Sequence, residues 1–102
     1  MPTREPGERR VERALEVLGP RWTATILRAL LVNGEMRFNA LRSLVDGVTP
    51  KLLTTRLKEL ERRGLVRRRV EHTFPPKTWY AVTEAAKGLD AIFAAMSAWE
   101  AP

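Results

Sequence analysis

The sequence predicts a mainly α-helical domain with one small β-hairpin, a winged helix-turn-helix in the order α-α-β-α-α-β-β-α. Three observations carry that prediction. Apolar residues recur at helical spacing in five separate segments. An Asp46-Gly47 turn leads into Thr49-Pro50, so two of those helices are joined tightly. Beyond Gly64, two alternating segments flank a Pro75-Pro76 tip, which reads as a hairpin.

Residues 1–7 hold Pro2, Pro6 and Gly7 and few apolar side chains, and are expected to form an arm before a single domain over 8–100. From Glu8, the residues Val11, Ala14, Leu15 and Leu18 mark one face of a first helix. Gly19-Pro20 stops it. A second helix is expected from about Arg21 to Val32, with Trp22, Ile26, Leu27, Leu30 and Leu31 as its buried stripe. Asn33-Gly34 ends it, Gly34 as a left-handed cap. Met36-Arg37 allow only a short strand. A third helix, about Phe38 to Val45, turns Phe38, Leu41, Leu44 and Val45 inward.

Thr at the N-cap and Pro at the first helical position start the fourth helix, which runs to about Arg63 and is closed by Gly64. Leu53, Leu57 and Leu60 form its buried stripe; Lys51, Thr55, Lys58 and Arg62 form the opposite one. In the first wing strand Val66, Arg68 and Val70 share one face, and Arg67, Arg69 and Glu71 the other. Thr73 to Lys77 make a tip stiffened by its prolines, and Thr78 to Val82 return with Tyr80 and Val82 toward the core. Thr83 is expected to cap one long terminal helix to about Glu100, with Ala85, Leu89, Ile92, Phe93, Met96 and Trp99 as its apolar set.

The net charge of +6 is local. Residues 51–77 carry nine Lys or Arg against three acids; the other 75 residues carry nine of each. A basic helix and hairpin suit a phosphate backbone, because each neutralised phosphate releases counterions. Double-stranded DNA is therefore the expected partner. The helix that enters the major groove offers Thr49, Lys51, Thr54, Thr55 and Arg56, with Lys58 one turn deeper. Arg56 and Thr55 are expected to discriminate bases. On the wing, Arg67, Arg69, His72 and Lys77 are the expected DNA contacts, with Arg67 and Arg69 holding the backbone. Arg68 is open between a DNA contact and an inward structural pair. Arg37 and Asn39 support from the third helix.

Other classes of function lack their chemistry. His72 is the single histidine and there is no cysteine, so no metal site, disulfide or thiol switch is expected. Ser43 and Ser97 fall inside predicted helices without a histidine to activate them, and no Gly-rich phosphate loop exists. An enzyme and a cofactor are not expected. No stretch approaches the ~20 apolar residues of a membrane span, and the N-terminus lacks a signal-peptide core, so a cytoplasmic, nucleoid-associated protein is expected. The apolar load of the first and last helices exceeds what a 102-residue domain covers. A homodimer through Val11, Leu15, Trp22, Leu89, Ile92, Phe93, Met96 and Trp99 is the expected outlet. Alternatives are a protein-interaction module and a sequence-neutral architectural DNA binder.

The segments VERALEVLGPRWTATILRALL, MRFNALR, GVTPKLLTTRLKELERRGLVRR and WYAVTEAAKGL, with the Pro-Pro wing, resemble the HxlR-type winged helix-turn-helix transcription regulators over about residues 9–99. The motifs that carry the resemblance are Gly19-x-[Lys/Arg]-Trp22, Arg37-Phe38-Asn39, Thr49-Pro50-Lys51 with Leu53, and Leu57-x-x-Leu60-Glu61-x-x-Gly64-Leu65-Val66. The resemblance implies a prokaryotic homodimer on an operator of two similar half-sites, with Thr49, Lys51, Thr54, Thr55 and Arg56 on the recognition helix. A small-molecule effector is left open. Two departures stand out. Arg9-Arg10 occupy the place where many members carry Cys-Pro, which excludes thiol sensing by that route. Trp79 stands on the returning wing strand where the family more often has a small or charged residue, and it can stack on sugar or pack the wing.

Overall fold

The computed structural model describes residue 5 and residues 7–102. Most of the expected N-terminal arm, residues 1–4 and 6, lies outside the described residues. Helix α1 (Glu8–Leu18) buries none of its side chains; Leu18 alone reaches the core margin. Helix α2 (Thr23–Asn33) starts two residues later than the periodicity predicts. The cause is Trp22, whose φ of 78° is left-handed and cannot belong to a right-handed helix. Its carbonyl accepts the first helical bond, from the Ile26 amide at 2.9 Å. Thr23, Ile26, Leu27 and Leu30 are buried; Gly34, at φ 78°, caps the helix as expected.

Strand β1 (Met36–Arg37) runs into α3 (Phe38–Leu44), and α4 (Pro50–Arg62) follows. Leu41 and Val45 are buried, but Leu44 is exposed, against expectation. The short helix offers one inward stripe, and Leu41 with Val45 fills it. Strands β2 (Val66–Glu71) and β3 (Lys77–Val82) form the wing. The sheet order is β1-β3-β2, all antiparallel, with Met36 opposite Tyr80, Val66 opposite Val82 and Glu71 opposite Lys77. The core lies between α2, α3, α4 and the inner sheet face, where Ile26, Leu27, Leu30, Leu41 and Leu53 are fully buried.

The end of α4 follows its sequence closely. The Leu65 amide donates to the Leu60 carbonyl and the Gly64 amide to the Glu61 carbonyl, both at 3.0 Å. This pair of bonds is a Schellman closure, and Gly64 supplies its left-handed residue at φ 74°. The long terminal helix is not observed. A single 3₁₀ turn, Glu84–Ala86, precedes a separate α5 (Leu89–Ala98). Thr83 does not cap by its side chain; its hydroxyl donates to the Gly64 carbonyl at 2.6 Å, tying the wing exit to the end of α4. Ala86 is buried and Ala85 exposed, the reverse of the expectation for one continuous helix.

The turn between α3 and α4 is built on Gly47, at φ 94°. A Cβ placed there would lie 3.1 Å from the Trp22 ring. Gly47→Ala is expected to cost about 1–3 kcal/mol, from a left-handed alanine and a displaced indole together. Thermal unfolding of the two proteins measures it; equal melting temperatures would contradict the contact.

Candidate nucleic-acid interface

Thr49 holds the start of α4: its hydroxyl accepts the Leu52 amide at 3.1 Å, with Pro50 in the first turn. Leu53, Leu57 and Leu60 anchor one face of the helix in the core. Lys51, Thr55, Lys58 and Arg62 are thereby turned outward and exposed. The Thr55 hydroxyl donates to the Lys51 carbonyl at 3.0 Å, which leaves its methyl and an oxygen lone pair outward.

Thr54 is half-buried at the seam between α4 and the wing. It lines a cavity of about 340 Å³ with Arg37, Phe38, Asn39, Pro76, Thr78 and Tyr80. It also lines a second cavity, about 260 Å³, with Lys58, Glu61, Arg68, Thr78 and Tyr80. The start of α3, the outer face of α4 and the inner face of the wing thus line two cavities that share Thr54, Thr78 and Tyr80. Tyr80 is 7% exposed, with its ring tilted against Phe38 at 6.4 Å. Burial raises the Tyr80 hydroxyl above its ordinary pKa, and the Arg68 guanidinium opposes that shift.

Strand parity decides which wing arginine joins this surface. Arg68 stands opposite Tyr80, on the face toward α4. Arg67 and Arg69 stand opposite Ala81 and Trp79, on the other face. Arg69 is spoken for: Nη2 lies 2.6 Å from Glu35 Oε1, Nε 3.2 Å from Oε2, and its guanidinium lies 5.3 Å from the Trp79 ring centroid. The Arg69 hydrogen bond holds Glu35 below the usual carboxylate range, and Glu35 raises Arg69 in turn. Trp79 packs the wing, its Nε1 donating to Glu71 Oε2 at 3.3 Å. Of the three wing arginines, Arg68 is thus the one beside α4.

Arg56, expected to discriminate bases, has partners within the domain. Nε donates to the Arg21 carbonyl at 2.9 Å and Nη1 to Glu59 at 3.3 Å, with the side chain only 18% exposed. It bolts α4 to the corner between α1 and α2. His72 is exposed and Lys77 half-exposed, opposite Glu71. Asn39 is exposed at the start of α3, its carbonyl accepting the Ser43 hydroxyl at 3.0 Å. Arg37 is exposed and stands opposite Trp79.

The expected self-association residues divide. Phe93, 6% exposed, belongs to this domain's own core, and Trp22 packs against that core and Gly47. Leu89 is half-buried. Val11, Leu15, Ile92, Met96 and Trp99 are 41–69% exposed. Glu35 and Glu59, the partners that occupy Arg69 and Arg56, were missed. No local spacing pairs Glu35 with a residue 34 positions away, but Glu59 at i+3 from Arg56 was a readable signal. Among the described residues no cluster of His, Cys, Asp or Glu is placed to hold a metal, and no helix is long and apolar enough to cross a membrane.

Two helices joined by the Gly47 turn, the second buttressed by the core and flanked by a basic hairpin, define a winged helix-turn-helix of the DNA-binding class. The chain belongs to the HxlR-like helix-turn-helix family, whose pattern matches residues 17–102. YybR of Bacillus subtilis (strain 168), described as an uncharacterized HTH-type transcriptional regulator, is 39% identical over 89 residues, covering 87% of this chain and 70% of that protein. Among solved structures, the reduced form of the transcriptional regulator YodB from B. subtilis superposes with a TM-score of 0.78 at 35% identity, over 95% of this chain and 91% of that one. The redox regulator HypR in its oxidized form gives 0.79 at 37% identity, over 87% and 91%. The family consists of DNA-binding transcriptional regulators, not enzymes, and this chain is one of them. These 102 residues contain no cysteine, so they hold no thiol for a redox response.

Proposed function

We propose that the chain is a sequence-specific regulator that binds, as a homodimer, an operator of two similar half-sites in the cytoplasm. The observation that carries this reading is the convergence of Thr54 and Lys58 from α4 with Arg68 from the wing on one concave basic face. Lys51, Thr54, Thr55 and Lys58 read base edges in the major groove. Arg68, with Lys77, His72 and Arg67 at its margins, holds the phosphates beside them. Arg37 and Asn39 steady the approach from α3. Arg56 and Arg69 act through the fold: the first sets the pose of α4, the second the pose of the wing. Exposed Val11, Leu15, Ile92, Met96 and Trp99 supply the dimer face.

Selection of duplexes from a randomised pool, followed by affinity measurement on the recovered sequence, tests the assignment. Arg68→Ala and Lys58→Ala are expected to lose about 1–3 kcal/mol of binding each, and Lys58→Ala to relax preference at one or two base pairs. Arg56→Ala and Arg69→Ala are expected to recover the parent's preferred sequence, with Arg56→Ala losing melting temperature instead. If Arg69→Ala loses as much affinity as Arg68→Ala at equal stability, the two faces of the wing have been assigned the wrong way round.

A further inference from the structure

The wing tip carries a side chain that neither the core nor the dimer face explains. Phe74 is 102% exposed, the most exposed large apolar residue described. Of the other exposed apolar residues, Val32 and Met96 line one cavity with Phe93. Phe74 is the one aromatic of the run His72-Thr73-Phe74-Pro75-Pro76-Lys77 apart from the His72 imidazole, and the run contains no acid. Its loop is short and braced. The Thr73 amide donates to the Glu71 carbonyl at 2.9 Å, and the Thr73 hydroxyl donates to the Pro75 carbonyl at 2.8 Å. Little ordering entropy remains to be lost when such a tip docks. Pro76 lines the same concavity as Thr54, so the tip adjoins the face that α4 presents.

A bare phenyl ring on a tip that carries Lys77 and no acid matches a surface that is anionic at its rims and apolar between them. The DNA minor groove is such a surface, with phosphates on both edges and sugar faces and stacked base steps within. Resting on the DNA-binding reading above, we propose that Phe74 is an apolar wedge that enters the minor groove flanking each half-site, at a deformable A·T step. Two features of the groove select that step. Guanine places an amino group on the groove floor where the ring must sit, and A·T pairs do not. Pyrimidine–purine TA steps also open at low cost. Phe74 is thereby a specificity-determining residue outside the recognition helix, reading shape where α4 reads base edges.

The experiment uses duplexes recovered by the parent protein from a randomised pool, with the flanking positions analysed separately from the half-sites. The parent is expected to enrich TA-containing flanks, and replacing that step by CG is expected to weaken binding about tenfold. Inosine in place of the guanine, which removes only the minor-groove amino group, is expected to restore most of the loss. Permanganate oxidation of the thymine at the step is expected to rise on binding as the base unstacks. Phe74→Ala, which removes a ring lying outside the core, is expected to bind about tenfold more weakly, to ignore the flank and to leave that thymine protected; Phe74→Leu is expected to keep part of each effect. Parent and Phe74→Ala binding with equal affinity and equal flank preference would overturn the wedge while leaving the regulator reading intact. A parent that retains no duplex would overturn both.

Discussion

Affinity for operator DNA is expected to fall by roughly 10³–10⁵ between about 50 and 200 mM salt, because about 6–10 phosphates are neutralised by each dimer. In the proposed interface, Lys51, Lys58, Arg67 and Arg68 are exposed along α4 and the wing, and Lys77 is half-exposed near the wing tip. Arg56 and Arg69 are subtracted, since one is bonded to the Arg21 carbonyl and Glu59 and the other to Glu35. The remaining count still supports several phosphates per subunit. Each neutralised phosphate contributes a slope of about −0.9 in log affinity against log salt, so Arg68→Ala makes the slope shallower by about one unit for each phosphate left without its cation. Arg69→Ala leaves it unchanged. Anisotropy titrations of a labelled duplex over a salt series measure both. A flat salt response of the parent would show that the basic face does not meet phosphates, and would favour a protein-interaction module.

The fold was legible wherever local chemistry dictates a boundary. Thr49-Pro50 and Gly64 bracket α4 because a hydroxyl cap, a proline and a left-handed glycine each act within one turn. The same logic placed Gly34 and the wing strands. It failed at the C-terminus, where apolar spacing runs on through Ala85, Leu89 and Ile92 although the backbone does not. There Ala86 is drawn fully into the core, and a 3₁₀ turn with a break before Leu89 accommodates it. Trp22 is a comparable case. Its left-handed backbone lets the indole reach Gly47, a tertiary contact that no helical period announces.

The site was legible by composition and not by side-chain assignment. Alternation correctly split Arg67 and Arg69 from Arg68. Which face looks at α4 depends on how the sheet docks, and that is set by Val66 and Tyr80 entering the core. The pairing of Arg56 was hidden for a related reason. One of its partners is a backbone carbonyl 35 residues away, and a carbonyl leaves no mark in the sequence. Charge density therefore pointed to the proposed interface, while long-range pairing decides which of its charges already have partners within the domain.

Ile92→Glu is expected to convert the protein to monomers and to reduce operator affinity by about 10²–10⁴, the advantage that linking two half-site contacts confers. The terminal helix is shorter than its spacing suggests, and Phe93 points into the domain, so the apolar stripe is narrower than the sequence implies. What remains is still uncovered: Ile92, Met96 and Trp99 are 41%, 53% and 69% exposed, and Val11 and Leu15 on α1 are 59% and 61% exposed. A helix with no buried residue of its own has no reason to stay folded on this domain unless something covers it. In the proposed homodimer a second copy would cover it symmetrically, and a two-fold axis would then set two α4 helices about 34 Å apart for successive major grooves. Ile92 suits the test because it lies outside the core, whereas a charge at Phe93 would unfold the domain and decide nothing. Sedimentation at micromolar concentration reads the oligomer, and anisotropy on whole and half operators reads the coupling. A parent that sediments as a monomer while binding the whole operator no better per site than the half would remove the dimer from the mechanism. In that case the stripe on α1 and α5 would have to meet a different partner.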